Sequence, residues 1–262
     1  MAIHNYQGIK FQNTDSSKVD DNLVVEQALQ ININKEVFTI TMRTPGDDED
    51  LVRGLLYSED IYKASQNLNI SFSENTEKGI TESDITINKE LLSEGYSNSR
   101  NLLSVSSCGI CGKTELEELD ANNKIQNGYT LNIQDLYTMF KDMKEKQVTF
   151  HQSGGSHAAA AFSKDRTLLS AREDIGRHNA VDKVVGHLVN QNQLKEAKCL
   201  VVSGRISYEI VAKAFTANIP VLAAVSAPSS LAADFAKELG ITLLGFCRDN
   251  KATCYANPQR LV

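Results

Sequence analysis

The chain predicts an α/β protein in two parts. A smaller N-terminal α+β domain covers residues 1–125, and an α/β domain over 126–262 holds a mixed, mainly parallel sheet with helices on both faces. Three observations predict this. From Asn132 onward, short apolar stretches alternate with amphipathic stretches of helical length, the pattern of strands feeding the covering helices of a parallel sheet. Before residue 125 the apolar residues are β-branched or weakly alternating, around a single helical stretch. Charge also divides: residues 1–130 carry 11 basic and 21 acidic side chains, and residues 131–262 carry 16 and 12, so about -10 and about +4.

Taken in order, residues 1–20 are polar without periodicity and predict a loose terminus. Asp21 to Thr44 predicts two strands around a turn at Asn32-Ile33-Asn34-Lys35, the second carried by Val37-Phe38-Thr39-Ile40-Thr41-Met42. Thr44-Pro45-Gly46 ends that strand. Asp47, Asp48, Glu49 and Asp50 then open a helix, where carboxylates suit the positive dipole end, and helix-start chemistry accounts for this acidic cluster better than a metal site. Leu51, Leu55 and Leu56 share one face of it. Between Ile61 and Leu92, weak alternation at Leu68, Ile70, Phe72 and at Ile80, Ile85, Ile87 predicts a sheet with one wet face. Residues 93–101 read as a mobile loop, and the polar segment Ala121 to Tyr129 as the boundary.

Beyond it, Ile133, Leu136, Tyr137 and Phe140 mark a helix running to Lys146. His157 to Phe162 and Thr167 to Ala171 read as strands joined by the turn Ser163-Lys164-Asp165-Arg166. Helices are predicted over Gly176 to Asn190, Ser207 to Asn218 and Ser229 to Leu239. Strands are predicted over Cys199 to Ser203, Pro220 to Val225 and Ile241 to Phe246.

Composition narrows the function classes. Hydrophobic content of 41% permits a core, and no apolar run is long enough to span a membrane. Met1 to Lys10 lacks the pattern of a signal peptide. Five cysteines in no disulfide-framework spacing fit reduced thiols, so a soluble cytoplasmic protein is expected. A net charge of -6 argues against broad nucleic-acid binding, while the basic second half suits an anionic ligand.

Two places concentrate chemistry. In Ser106-Ser107-Cys108-Gly109-Ile110-Cys111-Gly112-Lys113, two thiols stand three apart among glycines and beside a lysine, which favours thiolate, the form that attacks sulfur or binds metal. A single C-x-x-C reads equally as half a zinc site, a disulfide-exchange pair, or a sulfur-carrying nucleophile with a neighbour. The second place is the set of strand ends in the α/β half, where such sheets bind ligands. Glu173-Asp174-Ile175-Gly176-Arg177-His178-Asn179, Ser203-Gly204-Arg205 and Ser226-Ala227-Pro228-Ser229-Ser230 each join a strand end to a helix start, and Arg248-Asp249-Asn250-Lys251 ends the last strand. Arg177, Arg205 and Arg248 therefore converge on one rim, where helix-start N–H groups and guanidinium forks receive phosphate. His178 and Asp182, four apart on one helix face, suggest an imidazole oriented by a carboxylate. His157, after the turn Gly154-Gly155-Ser156, either lines the cleft or caps a strand.

The order helix–strand–strand–helix–strand–helix is that of the zinc deaminases, whose ligands require H-x-E and P-C-x-x-C at successive helix starts. Here those starts read Arg177-His178-Asn179 and Ser203-Gly204-Arg205-Ile206, so the scaffold agrees and the deaminase chemistry is absent. A zinc site from Cys108, Cys111, Cys247 and Cys254 lacks a second C-x-x-C.

Ser107-Cys108-Gly109-Ile110-Cys111-Gly112, the string Glu173 to Lys183, Ser203-Gly204-Arg205 and Phe246-Cys247-Arg248 together resemble the formate dehydrogenase accessory sulfurtransferase family, FdhD. Thr44-Pro45-Gly46 and Leu51 to Glu59 resemble its N-terminal half. The resemblance implies a cytidine-deaminase-like α/β domain with a smaller appended domain, and a homodimer. It implies a sulfur carrier that takes sulfur from a cysteine desulfurase and passes it to the molybdenum cofactor, in its bis(molybdopterin guanine dinucleotide) form, before insertion into formate dehydrogenase. Cys108 then bears the persulfide, with Cys111 its partner. Phe246, Cys247, Arg248, Asp249, Asn250 and Lys251 form the cofactor-binding segment, joined by the rim residues Arg177, His178, Ser203, Gly204, Arg205 and Ser226; a guanine nucleotide would occupy the same place. Two rivals remain: a thiol–disulfide oxidoreductase, which would reduce insulin in its dithiol form, and a cofactor-holding chaperone indifferent to Cys108→Ala.

Overall fold

The computed structural model of the chain describes residues 2–64, 66, 68–93, 95–96, 124–125 and 128–262. The terminus expected to be loose is a hairpin of β1 (Ile3–Gln12) and β2 (Asp15–Val24), paired antiparallel from Ile3↔Val24 to Gln12↔Asp15. Both its faces are largely wet, so apolar residues never alternate cleanly along it, and Tyr6, Ile9, Phe11 and Leu23 are exposed. β3 (Gln27–Ile33) and β4 (Glu36–Arg43) turn at Asn34 and Lys35, both at positive φ as a two-residue hairpin requires. β5 (Ile70–Asn75) and β6 (Ile80–Ile85) complete a four-stranded sheet in the order β4-β3-β6-β5, with β6 parallel to β3. Helix α1 (Asp48–Ser58) lays Leu51, Val52 and Leu56 against Leu29, Ile31, Ile33 and Ile85. Its acidic start pairs with arginines: Asp48 with Arg43 at 2.9 Å and Asp50 with Arg172 at 3.0 Å.

The second half opens with α2 (Ile133–Glu145) and a short α3 (Val148–Ser153) that the sequence pattern does not predict. Then follow β7 (His157–Ser163), β8 (Leu168–Asp174), α4 (Arg177–Asn190), β9 (Ala197–Val202), α5 (Tyr208–Thr216), β10 (Val221–Ala224), α6 (Ser230–Glu238), β11 (Thr242–Arg248) and β12 (Lys251–Ala256). The six strands order as β12-β11-β10-β9-β7-β8. Helices cover both faces as expected. On one, α4, α5 and α6 bury Val181, Val184, Ile210 and Ala232 against Ala159, Leu200, Val202 and Leu222; on the other, Leu136, Met139 and Met143 of α2 meet Ala160, Phe162, Val201 and Leu244. The expectation of a mainly parallel sheet is corrected. Only β9–β10 and β10–β11 pair parallel, while β7–β8, β7–β9 and β11–β12 are antiparallel. The four-residue turn between β7 and β8 leaves no room for a crossover. Among the described residues no helix is long and apolar enough to cross a membrane.

The two halves meet along α1 and α4, at two glycines. A Cβ on Gly54 would lie 1.8 Å from the Asp182 carbonyl oxygen, and one on Gly186 would lie 1.8 Å from that of Asp50. A buried polar seam continues the contact. Lys183 Nζ lies 2.8 Å from Asp174 Oδ2 and donates to the Thr44 carbonyl at 2.9 Å. Asp174 accepts from the Thr44 N–H at 3.1 Å, and Asn179 Nδ2 donates to the Met42 carbonyl at 2.7 Å. Nearby, His187 Nδ1 lies 2.7 Å from Arg172 and 3.1 Å from Asp50 Oδ2.

Candidate functional site: a basic rim at the strand ends

Because β8, β9, β10 and β11 run in one direction, their C-terminal ends share an edge with the N-terminal ends of β7 and β12. The polar strand-end segments predicted from sequence all lie on this edge. Gly204 is buried in the β9–α5 loop; a Cβ on it would stand 3.2 Å from His157 Nδ1 and 3.3 Å from Arg177 Cβ. The imidazole at the start of β7, the stem of Arg177 at the start of α4 and the loop carrying Arg205 are therefore packed together. Ser203 Oγ accepts from the Ala158 N–H at 2.9 Å and ties that loop to β7. Desolvation, then the nearby Arg177 and Arg205 charges, hold His157 below the ordinary imidazole value, with Asp174 opposing them.

Arg205 is exposed, and the Arg177 Nε is buried without a hydrogen-bond partner. Two guanidinium groups, one with an unfilled donor, fit an oxyanion at this place. The pairing expected between His178 and Asp182 is corrected. Asp182 is bound by Lys213 Nζ at 2.8 and 2.9 Å, in the core beneath the rim, while His178 Nε2 lies 3.0 Å from Ser207 Oγ at the start of α5. Burial alone would push the Lys213 ammonium down, but Asp182 and Glu59 raise it, while burial works against the charged form of Asp182.

At the β11 end, Phe246 has φ 54° and a side chain 40% exposed. Left-handed backbone at a bulky residue costs on the order of 1–3 kcal/mol and collects at functional sites. A bulge between Gly245 and Arg248 places it there, and the Phe246 N–H donates to the Ser226 carbonyl at 3.1 Å, tying the β10 and β11 ends. Asp249 and Asn250, both at φ 54°, turn the chain into β12, with Arg248 opposite Lys251. Arg248, Asp249, Asn250 and Lys251 are exposed. Two strand spacings, roughly 10 Å, separate this hairpin from the β9 end. The rim thus offers a cluster of Arg177, Arg205 and His157 at one end and an aromatic ring with basic neighbours at the other.

Cys247 does not present its thiol to the rim. It is buried with Cys199 beneath α2, and burial pushes it up to about 12; burial raises Cys199 and Cys254 as well. At pH 8 it is then held as the thiol. Iodoacetamide is expected to leave Cys199 and Cys247 unlabelled in the native protein and to label both after denaturation, as read by peptide mass spectrometry. Among the described residues no His, Cys, Asp and Glu side chains group to hold a metal. Cys108 and Cys111 lie outside the described residues, as does the loop predicted over 93–101 apart from Ser93, Gly95 and Tyr96.

Sequence reasoning missed Thr44, Asn179 and Lys183 as a structural seam. Their signal is the polar string Glu173 to Lys183 itself, which is denser than a phosphate loop needs. Glu173 is also structural: it accepts from the Thr149 and Phe150 N–H groups at 2.7 and 2.8 Å and from Ser156 Oγ at 2.6 Å.

Fold and rim together define a mixed α/β protein whose polar strand-end loops gather cationic side chains on one edge. Comparison with known proteins makes this specific. The profile of the FdhD/NarQ family matches residues 24–262, and the chain belongs to that family. It is 42% identical to a sulfur carrier protein FdhD of Nocardia farcinica over 92% of this chain and 88% of the relative. It is 37% identical to a sulfur carrier protein FdhD of Sulfolobus acidocaldarius over 100% and 99%. A crystal structure described as a formate dehydrogenase accessory protein of Desulfotalea psychrophila superposes with a TM-score of 0.78 over 100% of both chains, at 19% identity, a likeness of fold.

Proposed function

We propose that this protein is a cytoplasmic, homodimeric sulfur carrier on a cytidine-deaminase-like scaffold. It takes sulfane sulfur from a cysteine desulfurase and delivers it to the molybdenum cofactor, held as the bis(molybdopterin guanine dinucleotide) form, ahead of insertion into formate dehydrogenase. The observation that carries the reading is the packing of His157 and Arg177 against Gly204, beside Arg205, at one strand-end edge, in a chain of the FdhD/NarQ family whose relatives are named sulfur carriers.

The Cys108 thiolate attacks the outer sulfur of the donor persulfide; a new S–S bond forms, the donor S–S bond breaks, and the donor cysteine leaves as thiolate. The outer sulfur of Cys108-S-S⁻ then passes to the acceptor as sulfane sulfur: its bond to Cys108 Sγ breaks, Cys108 leaves as thiolate, and the acceptor supplies the electron pair of the new bond. Attack of the Cys111 thiolate on Cys108 instead closes a disulfide and expels hydrosulfide. Arg177 and Arg205, with Ser203, Gly204, His178 and Ser226 around them, receive phosphate oxygens, and Phe246 with Arg248, Asp249, Asn250 and Lys251 receives the guanine end. The bound cofactor supplies the metal that accepts the sulfur; the residues of the rim orient it. A free guanine nucleotide takes the same place.

Incubation with a cysteine desulfurase and cysteine, followed by peptide mass spectrometry, tests the carrier step. One extra sulfur atom is expected on the peptide bearing Cys108. Cys108→Ser is expected to fall to background, while Cys111→Ser keeps the first loading step. No gain on either thiol would sink the proposal. The aromatic end is tested by Phe246→Asn. Asparagine tolerates the left-handed backbone, so the thermal midpoint is expected to hold or rise. Guanosine diphosphate binding, measured by calorimetry, is expected to weaken by about 5- to 100-fold, the range for loss of base stacking.

A further inference from the structure

His157 has no assigned role, and its surroundings are unusual for an imidazole. It starts β7, directly opposite Asp174 in the register, and its ring lies against Gly204. It is half-buried, and its ring makes no hydrogen bond among the described residues. The charges that face it come from three elements: Arg177 from α4, Arg205 from the β9–α5 loop and Asp174 from β8. The Asp174 carboxylate is already shared among Lys183, the Thr44 and Gly176 N–H groups and Asn179. Glu173 on the same strand is turned to α3, and His178 to Ser207. With both carboxylates engaged elsewhere, the charges left beside the ring are those of the two arginines.

Burial first, and then repulsion by the two guanidinium groups, bias this imidazole toward its neutral form while the site is empty. An anion reverses the sign of the local field, and an opposite charge within about 4–6 Å favours the protonated ring. We propose that His157 is a proton-linked ligand of the anion site: a pyrophosphate diester seated between Arg177 and Arg205 draws one proton from solvent onto the His157 ring. This rests on the phosphate-binding reading of the rim. The proton is taken from buffer, no bond within the ligand breaks, and the ring becomes a donor on both nitrogens, one of them directed to a phosphate oxygen. Sulfur delivery is unaffected by the coupling itself; what changes with pH is the grip on the passenger.

The sign follows from linkage. With the protonated ring favoured in the complex, affinity rises as pH falls through the imidazole value of the complex and levels off below that of the free protein. Without ligand the opposite holds for stability. His157 lies below its unfolded value, so its contribution is full above about pH 6.5 and declines as pH falls through that value.

The test uses the full chain and guanosine diphosphate mannose, whose pyrophosphate diester has no titratable proton near neutrality, so any proton taken up belongs to the protein. Calorimetric enthalpies measured near pH 7 in buffers of differing ionisation enthalpy are expected to give uptake of between zero and one proton. Affinity is expected to weaken by up to about tenfold per pH unit between pH 6 and 8. His157→Gln is expected to bind more weakly with no buffer dependence. A nuclear magnetic resonance titration of the His157 ring in the unmodified protein gives the same answer without a variant: its midpoint is expected to move up when ligand is added. Binding with buffer-independent enthalpy, an unmoved midpoint, or uptake that survives in His157→Gln would overturn the coupling and leave the phosphate site standing. No binding at all would overturn both.

Discussion

Replacing Gly54 by alanine is expected to lower the thermal midpoint by about 10 °C, a loss of about 3 kcal/mol or more. The new methyl would fall 1.8 Å from the Asp182 carbonyl oxygen and within 2.8 Å of the Gly186 nitrogen, both backbone atoms of α4. No rotamer change relieves a contact with backbone, so α1 and α4 must separate along their whole crossing. Gly186→Ala meets the Asp50 carbonyl at the same distance and is expected to behave alike. Because either change pushes the same two helices apart, the double variant is expected to lose less than the sum. The measurement is thermal unfolding followed by circular dichroism, and a shift under about 2 °C for Gly54→Ala would contradict the geometry.

Lys183→Met is expected to cost about 3–5 kcal/mol, the penalty for stranding a buried charge. Lys183 and Asp174 are essentially inaccessible to solvent, with side-chain exposures of 1% and 0%. Without the ammonium, Asp174 keeps the Thr44, Gly176 and Asn179 donors but no countercharge, and the Thr44 carbonyl loses its partner. Adding Asp174→Asn is expected to recover part of the loss, because the stranded charge is then gone. Chemical denaturation of the two single variants and the double separates that coupling from simple loss of packing. A double variant as weak as the sum of its parents would mean that the two side chains act independently.

Much of the α/β half was legible because its elements obey local rules. Helices α4, α5 and α6 and strands β7 to β11 fall within a few residues of where periodicity places them. Failures came where the deciding partner is remote or the exposed face hides the pattern. The β1–β2 hairpin has no buried face to enforce alternation, and β12 is a six-residue strand beyond a turn that reads as the end of the chain's last element. Asp182 stands on a shared helix face with His178, but its partner Lys213 lies 31 residues on, beyond the reach of spacing rules. The string Glu173 to Lys183 serves two places at once. Arg177 and His178 face the rim, while Asp174, Asn179 and Lys183 hold the Thr44 turn some 130 residues away. Cys108 and Cys111 rest on the motif and the family alone.

Helix α4 is fastened at its middle to the N-terminal half and offers Arg177 and His178 from its opening turn. Work done on one end of such a rod is felt at the other. An anion that touches only side chains beyond residue 150 should therefore raise the melting point of the sheet spanning 27–85. Conversely, loosening the glycine crossing should cost grip on the anion by the same factor, since coupling free energies run equally in both directions.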